Sequence, residues 1–151
     1  MARALNLDYF HNFRFKVLDT NKVIAGAFSA ISIPDISIEP AEYRDGTMVY
    51  TRKQPGIVTV DNATLSRGVV KNDTQFKQWL DKCIDGDVDY RIDFTVQHIH
   101  RDKTTRNYKF LEAFANRVKL SSDLDASDSG IGVSEIEVVA EEIQVESGTT
   151  T

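Results

Sequence analysis

The chain is predicted to be a mainly β domain of antiparallel strands with one flanking α-helix, and three observations carry that prediction. Most of the sequence alternates apolar and polar residues with period two, which sends successive side chains to opposite faces of a strand. One segment alone breaks the rhythm: Phe76, Trp79, Leu80 and Cys83 fall at i, i+3, i+4 and i+7, the spacing of a single helical stripe. Clusters of Asp, Asn, Gly and Pro punctuate the alternating runs. With 151 residues, 41% hydrophobic and 27% charged, the composition is that of one ordinary globular domain spanning residues 1–151. No apolar run reaches membrane-spanning length. The opening residues show no secretory signal, so cytoplasmic synthesis is expected.

In chain order, Phe13, Phe15 and Val17 alternate with Arg14 and Lys16, and the polar run from Asp19 to Lys22 supplies turn chemistry. This predicts a first hairpin into a strand over 23–33. Ile36 and Ile38 continue the alternation, and Pro40 marks an edge, a bulge or a strand end. Tyr43 to Gly46 punctuates, a polar segment runs to Pro55 and Gly56, and a strand is predicted over 57–66 with Ala63 and Leu65 on its buried face. Asn72 is positioned to cap the helix, with Gln75 reaching back in a capping box, and Gly86 to stop it. Trp79 and Cys83 are then core contacts that dock the helix, together with Phe76 and Leu80. Val88, Tyr90, Ile92, Phe94 and Val96 share one face of the next strand. Arg101 to Arg106 forms a charged turn, Tyr108 and Phe110 begin a partner strand, and Leu111 to Leu120 reads as strand and loop although its apolar spacing also fits a helix. Ser121 to Gly130 is a polar connection. Ile136, Val138 and Ala140 define the last strand, whose phase slips near Glu141 and Glu142, and residues 146–151 read as a flexible tail.

The sequence offers little to chemistry. One cysteine, Cys83, excludes an intrachain disulfide and the paired thiolates of a zinc ribbon. Phosphate-binding glycine loops are absent, since Gly130 and Gly132 stand in an acidic run with no following helix or Lys. Asp85, Asp87 and Asp89 open like a calcium loop, but Tyr90 and Val96 occupy the positions that need Gly and a bidentate Glu. His98 and His100 share a strand face without further ligands and read as a strand end. No serine comes with a base. The expectation is a protein with no catalytic residue, no metal and no cofactor.

Charge is unevenly placed. Residues 1–120 hold all 18 Lys and Arg, while the remaining residues hold only acidic charge, for an overall net of −5. Such a chain could bind a polyanion through its basic segment, or its opposite-sign segments could meet within the fold or between copies.

The order of the features, more than any one of them, is informative. A strand through Phe13 to Phe15, a second over Gly26 to Ser32, Glu42-Tyr43-Arg44-Asp45-Gly46, Arg52-Lys53-Gln54-Pro55-Gly56, Leu65-Ser66-Arg67-Gly68, a helix carrying Trp79 and a closing strand over Ser134 to Ile143 follow one another. This series resembles the tail tube (inner tube) protein family of contractile phages, phage-tail-like bacteriocins and extracellular contractile injection systems, over about Phe13 to Val145. Ala113-Phe114-Ala115 and Asp128 to Gly132 depart from the family pattern and leave the branch open.

The resemblance implies a tail-tube fold, a small β-sandwich or barrel with one flanking helix. It also implies homohexameric rings stacked into a hollow tube inside a contractile sheath, driven through a target envelope and conducting cargo. The implied partners are other copies of the chain, the sheath, baseplate or spike and tube-terminating proteins, and cargo or DNA passing through the lumen without sequence-specific binding. The implied inter-ring loop comprises Tyr43, Arg44, Asp45, Gly46, Arg52, Lys53, Gln54, Pro55 and Gly56. Open strand edges that pair between copies give the ring a physical rationale. Alternatives are an adaptor or initiator ring at the baseplate or tube terminus, and a monomeric β-barrel module holding a small ligand.

Overall fold

The structure, a computed structural model, describes residues 10–19, 28–69 and 74–149. Among them lie β1 (Phe15–Leu18), β2 (Ala30–Ser32), β3 (Ile36–Tyr43), β4 (Arg52–Val60), β5 (Ala63–Gly68), α1 (Gln75–Asp85), β6 (Ile92–Ile99), β7 (Thr104–Lys119), β8 (Val133–Val139) and β9 (Glu142–Thr149). The chain is thus mainly β with antiparallel sheets, and among the described residues there is one helix, as the alternation predicts.

The strands form two antiparallel blocks that share the long β7. One runs β1-β6-β7-β9, with Val17 opposite Val96 and Phe94 opposite Phe110. The other runs β7-β8-β5-β2, with Ala115 opposite Val138 and Leu65 opposite Ile136. Both send their apolar phase into one core that includes Val17, Leu65, Phe94, Phe110, Ile136 and Val138. The Phe94 and Phe110 rings stack at 4.6 Å, adding to the area each removes from water.

β7 serves both blocks because it is bulged. Glu112 adopts φ 52, and the β6–β7 register shifts between Ile92 and Phe94. Side chains hold the backbone polar groups at this bend: the Glu112 N–H donates to Asp93 Oδ1 at 2.8 Å and its carbonyl accepts from Arg91 Nη1 at 3.1 Å. Arg91 also pairs with Glu141 at 2.7 Å, tying the bend to the link between β8 and β9.

The helix docks by its predicted stripe. Phe76 and Trp79 are buried, and Leu80 and Cys83 pack partly buried against the core. Trp79 Nε1 donates to the Tyr90 carbonyl at 2.8 Å, which satisfies the indole without water. Gly86 ends the helix at φ 70, a left-handed conformation that suits glycine.

Several expectations are corrected. β1 pairs with β6 and β2 with β5, so these two strands form no hairpin with each other. The expected turn at 20–22 and the strand residues 23–27 lie outside the described residues, as does Asn72. The Gln75 side chain accepts from Arg67, and Thr74, two residues later than expected, stands at the N-cap without a side-chain cap bond. The strand expected over 57–66 is two strands, because Asp61 and Asn62 interrupt it. Arg52 to Gly56 is strand, not polar connection. Val88 is 98% exposed in a turn, so the β6 face begins at Ile92. The phase slip near Glu141 is a change of partner: β8 pairs with the second half of β7 and β9 with the first. Residues 146–149, expected as tail, belong to β9, with Glu146 opposite Asn107 and Gly148 opposite Thr105. Residues 150 and 151 lie outside the described residues.

Candidate assembly surface

β3 and β4 form a two-stranded sheet of their own, apart from the two blocks. Ile36 lies opposite Val60 and Ile38 opposite Val58; the register then shifts, and Pro40 faces Pro55, Ala41 faces Gln54, Glu42 faces Lys53 and Tyr43 faces Arg52. Pro40 therefore sits directly beside a bulge, the role a proline can take in a ladder it cannot donate to. The Asp61 N–H bonds the Asp35 carbonyl at 3.0 Å and closes the base of the ribbon.

Each resemblance-implied contact residue falls on this ribbon. Tyr43 ends β3; Arg44, Asp45 and Gly46 make the turn that leaves it; Arg52, Lys53, Gln54, Pro55 and Gly56 open β4. The structure brings the two stretches side by side through the pairing of Tyr43 with Arg52 and Glu42 with Lys53, whose charges lie 3.6 Å apart. At the turn, Asp45 Oδ1 accepts from the Thr47 hydroxyl at 2.6 Å and from the Thr47 N–H at 2.9 Å. These bonds lower the Asp45 pKa below its ordinary value, the hydroxyl bond foremost. Gly56 is required by close approach: a Cβ there would lie 2.5 Å from the Glu39 carbonyl oxygen. Gly46 has open space around it and no such requirement.

What the sequence reading missed is the character of the ribbon surface. Ile36, Ile38 and Val58 on one face, Ile57 at the bulge, and Tyr43 at the end of β3 are all exposed; beyond them Val49 and Tyr50 stand at 84% and 85% exposure. The signal was present: Ile57 and Val58 put apolar residues on both phases of one strand, and Pro40 and Pro55 mark an edge ribbon. Two-stranded ribbons are marginal alone in water, and one with this much apolar exposure calls for a partner surface.

A second residue that was missed is Arg67. It continues the buried phase of Ala63 and Leu65 on β5, and its guanidinium lies 4.2 Å from the Phe76 ring centroid and 5.5 Å from that of Phe28. It donates to Gln75 Oε1 at 3.2 Å and 3.3 Å, so the arginine of the Leu65 to Gly68 stretch ties the start of the helix to the sheet.

The histidines are structural neighbours at one end of β6. Nε2 of His98 lies 2.8 Å from the His11 carbonyl, Nδ1 of His100 lies 2.7 Å from Asp102 Oδ1, and the Phe10 ring contacts both imidazoles. Among the described residues no group of three or more His, Cys, Asp or Glu could hold a metal. One concave feature is a mainly apolar cavity of about 350 Å³ lined by Asn12, Phe15, Ile31, Ile33, Val96, His98 and Tyr108.

The family model described as T4-like virus tail tube protein gp19 matches residues 11–144. The chain belongs to this tail tube family. The match includes both stretches of the ribbon, Arg67 and the whole helix. Solved structures carry the same fold. One is a chain of an extracellular contractile injection system, the PVC sheath-tube complex in its extended state; it matches with TM-score 0.81 and 24% identity over 97% of this chain and 100% of that one. The PVC sheath/tube terminator in its extended state gives TM-score 0.75 and 25% identity over 93% and 99%. The tube-terminating cap of the anti-feeding prophage gives 0.78 and 22% over 97% of each. No curated protein sequence matches this tail tube chain.

Proposed function

We propose that this tail tube protein assembles as homohexameric rings that stack into a rigid hollow tube, which a contractile sheath drives through a target envelope while cargo travels inside. Its role is mechanical and not catalytic. The observation that carries the reading is the β3–β4 ribbon, an arm separate from the two blocks whose exposed Ile36, Ile38, Ile57, Val58, Val49 and Tyr50 are suited to burial against another copy. Tyr43 to Gly46 and Arg52 to Gly56 then form the inter-ring contact. The PVC sheath-tube complex and sheath/tube terminator, with a similar chain in the anti-feeding prophage baseplate (TM-score 0.74, 18% identity over 92% of this chain and 96% of that one), support the sheath, a terminating protein, and the baseplate or spike as partners. Synthesis is cytoplasmic and the working location is the assembled particle.

Size-exclusion chromatography with negative-stain imaging tests this. Purified protein is expected to give rings or stacked cylinders, and R52E/K53E to give short tubes or none. A wild-type protein that stays monomeric at high concentration overturns the proposal and favours a ligand-binding barrel using the cavity beside Phe15 and Ile31. A second reading has its own support, because two of the similar structures are a cap and a terminator: the chain would then form one ring that does not propagate, and imaging would show single rings under conditions that extend a tube.

A further inference from the structure

The outer face of the β7-β8-β5-β2 block has a pattern that the sequence does not reveal. Registers align Ser32, Thr64, Glu137 and Arg117 in one row across the strands, and Ala30, Ser66, Glu135 and Lys119 in the next. Each row runs from small residues through one acid to one base. The inward phase of the same strands is the core, with Ala63, Leu65, Ile136 and Val138 buried, so the rows point away from it. Thr64, Arg117, Lys119, Glu135 and Glu137 line one shallow groove on this face. Glu137 is further held by Asn62 at 2.5 Å and Asn116 at 3.5 Å. The acidic last segment therefore meets the basic end of β7 within the fold.

Apolar exposure is distributed in the opposite way. None of the exposed large apolar side chains among the described residues belongs to β5, β7 or β8. They concentrate on the ribbon, and elsewhere include Leu18 and Val145 on edge strands, Ile33 and Val69 just beyond the ends of β2 and β5, and Leu120, Leu124 and Ile131 in the connection after β7. Surfaces that other copies cover are where apolar side chains are wanted; a surface past which cargo must slide needs none.

Resting on the tube reading above, we propose that this face lines the lumen and is a charge-balanced lining that neither anionic nor cationic cargo grips. Acid and base stand on neighbouring strands, whose backbones are about 5 Å apart, so their opposite fields offset each other over the distance to a passing chain. A polyanion finds no continuous basic track to displace its counterions, and a cationic protein finds no acidic patch.

Two measurements on assembled tubes test this. In a C83S background, T64C in tubes is expected to react with a small maleimide but to be protected from a polymer-linked maleimide too wide for the bore, and to react with both once tubes are dissociated. E135K/E137K tubes are expected to retain a fluorescent single-stranded oligonucleotide at low salt, about tenfold above wild-type tubes, and to release it as salt rises. Equal reaction of T64C with both reagents in intact tubes overturns the proposal even if the lysine variant fails to fold. Oligonucleotide retention no higher in E135K/E137K tubes than in wild type also overturns it. Absence of tubes from wild-type protein is a different result: the tube reading itself then falls, and the lining with it.

Discussion

β5 and the β3–β4 ribbon use similar residues to opposite ends. On β5, Ala63 and Leu65 point into the core and Thr64 and Ser66 away from it, so alternation and burial coincide. On β3, Ile36 and Ile38 alternate with Ser37 and Glu39 just as regularly, yet every residue of the strand is exposed. Period two reports which side chains share a face; only the elements packed against that face decide whether it is dry. In the body the second layer is supplied by the same chain. In the ribbon none of the described strands supplies it.

The contrast can be broken most strongly from the body side. Trp79→Ala or Phe110→Ala should lower stability by about 3–5 kcal/mol, read as a shift of the denaturation midpoint, because each removes a fully buried aromatic. A double I38S/V58S change in the ribbon should leave that midpoint within about 0.5 kcal/mol of wild type while abolishing stacked assemblies by sedimentation. A midpoint loss as large as that of Trp79→Ala would show that the ribbon belongs to the core.

Next in size is Arg67. Its replacement by Met should cost about 1–3 kcal/mol through the lost ring and amide contacts, and Lys should not restore the midpoint because it lacks the flat fork. Within the ribbon, Gly56→Ala should disturb tube formation and leave the midpoint near wild type, whereas Gly46→Ala should change neither in the isolated subunit. E42K/K53E exchanges the charges of one facing pair; it should preserve the ribbon in the subunit and still impair stacking, which separates loss of the arm from loss of its contact.

The smallest expected effect is a response to acid. Hydrogen bonds from Thr104, backbone first, hold the Asp102 pKa at about 2 against an ordinary 3.8, with His100 adding a further bond. A carboxylate with a lowered folded-state pKa contributes above its unfolded value and loses that contribution as pH falls toward the folded one. The protection factor of the Thr104 amide, its exchange rate relative to that of an unstructured amide at the same pH, should therefore hold down to about pH 4 and should fall between pH 3.8 and about 2. In D102N the step should vanish.

Local patterns were legible wherever neighbours in sequence are neighbours in space. The helix stripe, the Gly86 stop and the buried phase of Ala63 and Leu65 all depend on residues a few positions apart. Partner choice was not legible, because β1 reaches β6 across about half of the chain and no residue of Phe15 to Leu18 encodes that distance. The shift of partner between β8 and β9 left a trace, the slip at Glu141, but a bulge and a new neighbour produce the same slip. Val88 was misplaced because it continues the alternation of Ile92 and Phe94 through what is a turn. For the assembly surface, the resemblance marked both stretches from Tyr43 to Gly56, and the pairing of Tyr43 with Arg52 brings them together. The exposure of Ile36, Ile38 and Tyr50 depends on what does not pack there; the apolar residues on both phases at Ile57 and Val58 were its one trace in the sequence.

β7 belongs to both blocks as one unbroken backbone of 16 residues. A push delivered to either layer thus reaches the other along covalent bonds, without relying on side chains sliding past each other. Parting the layers would mean stripping rows of interstrand bonds in shear, many at once, instead of peeling them open singly. For the piston role proposed above, a main beam that runs through both walls would carry a lengthwise blow without parting them.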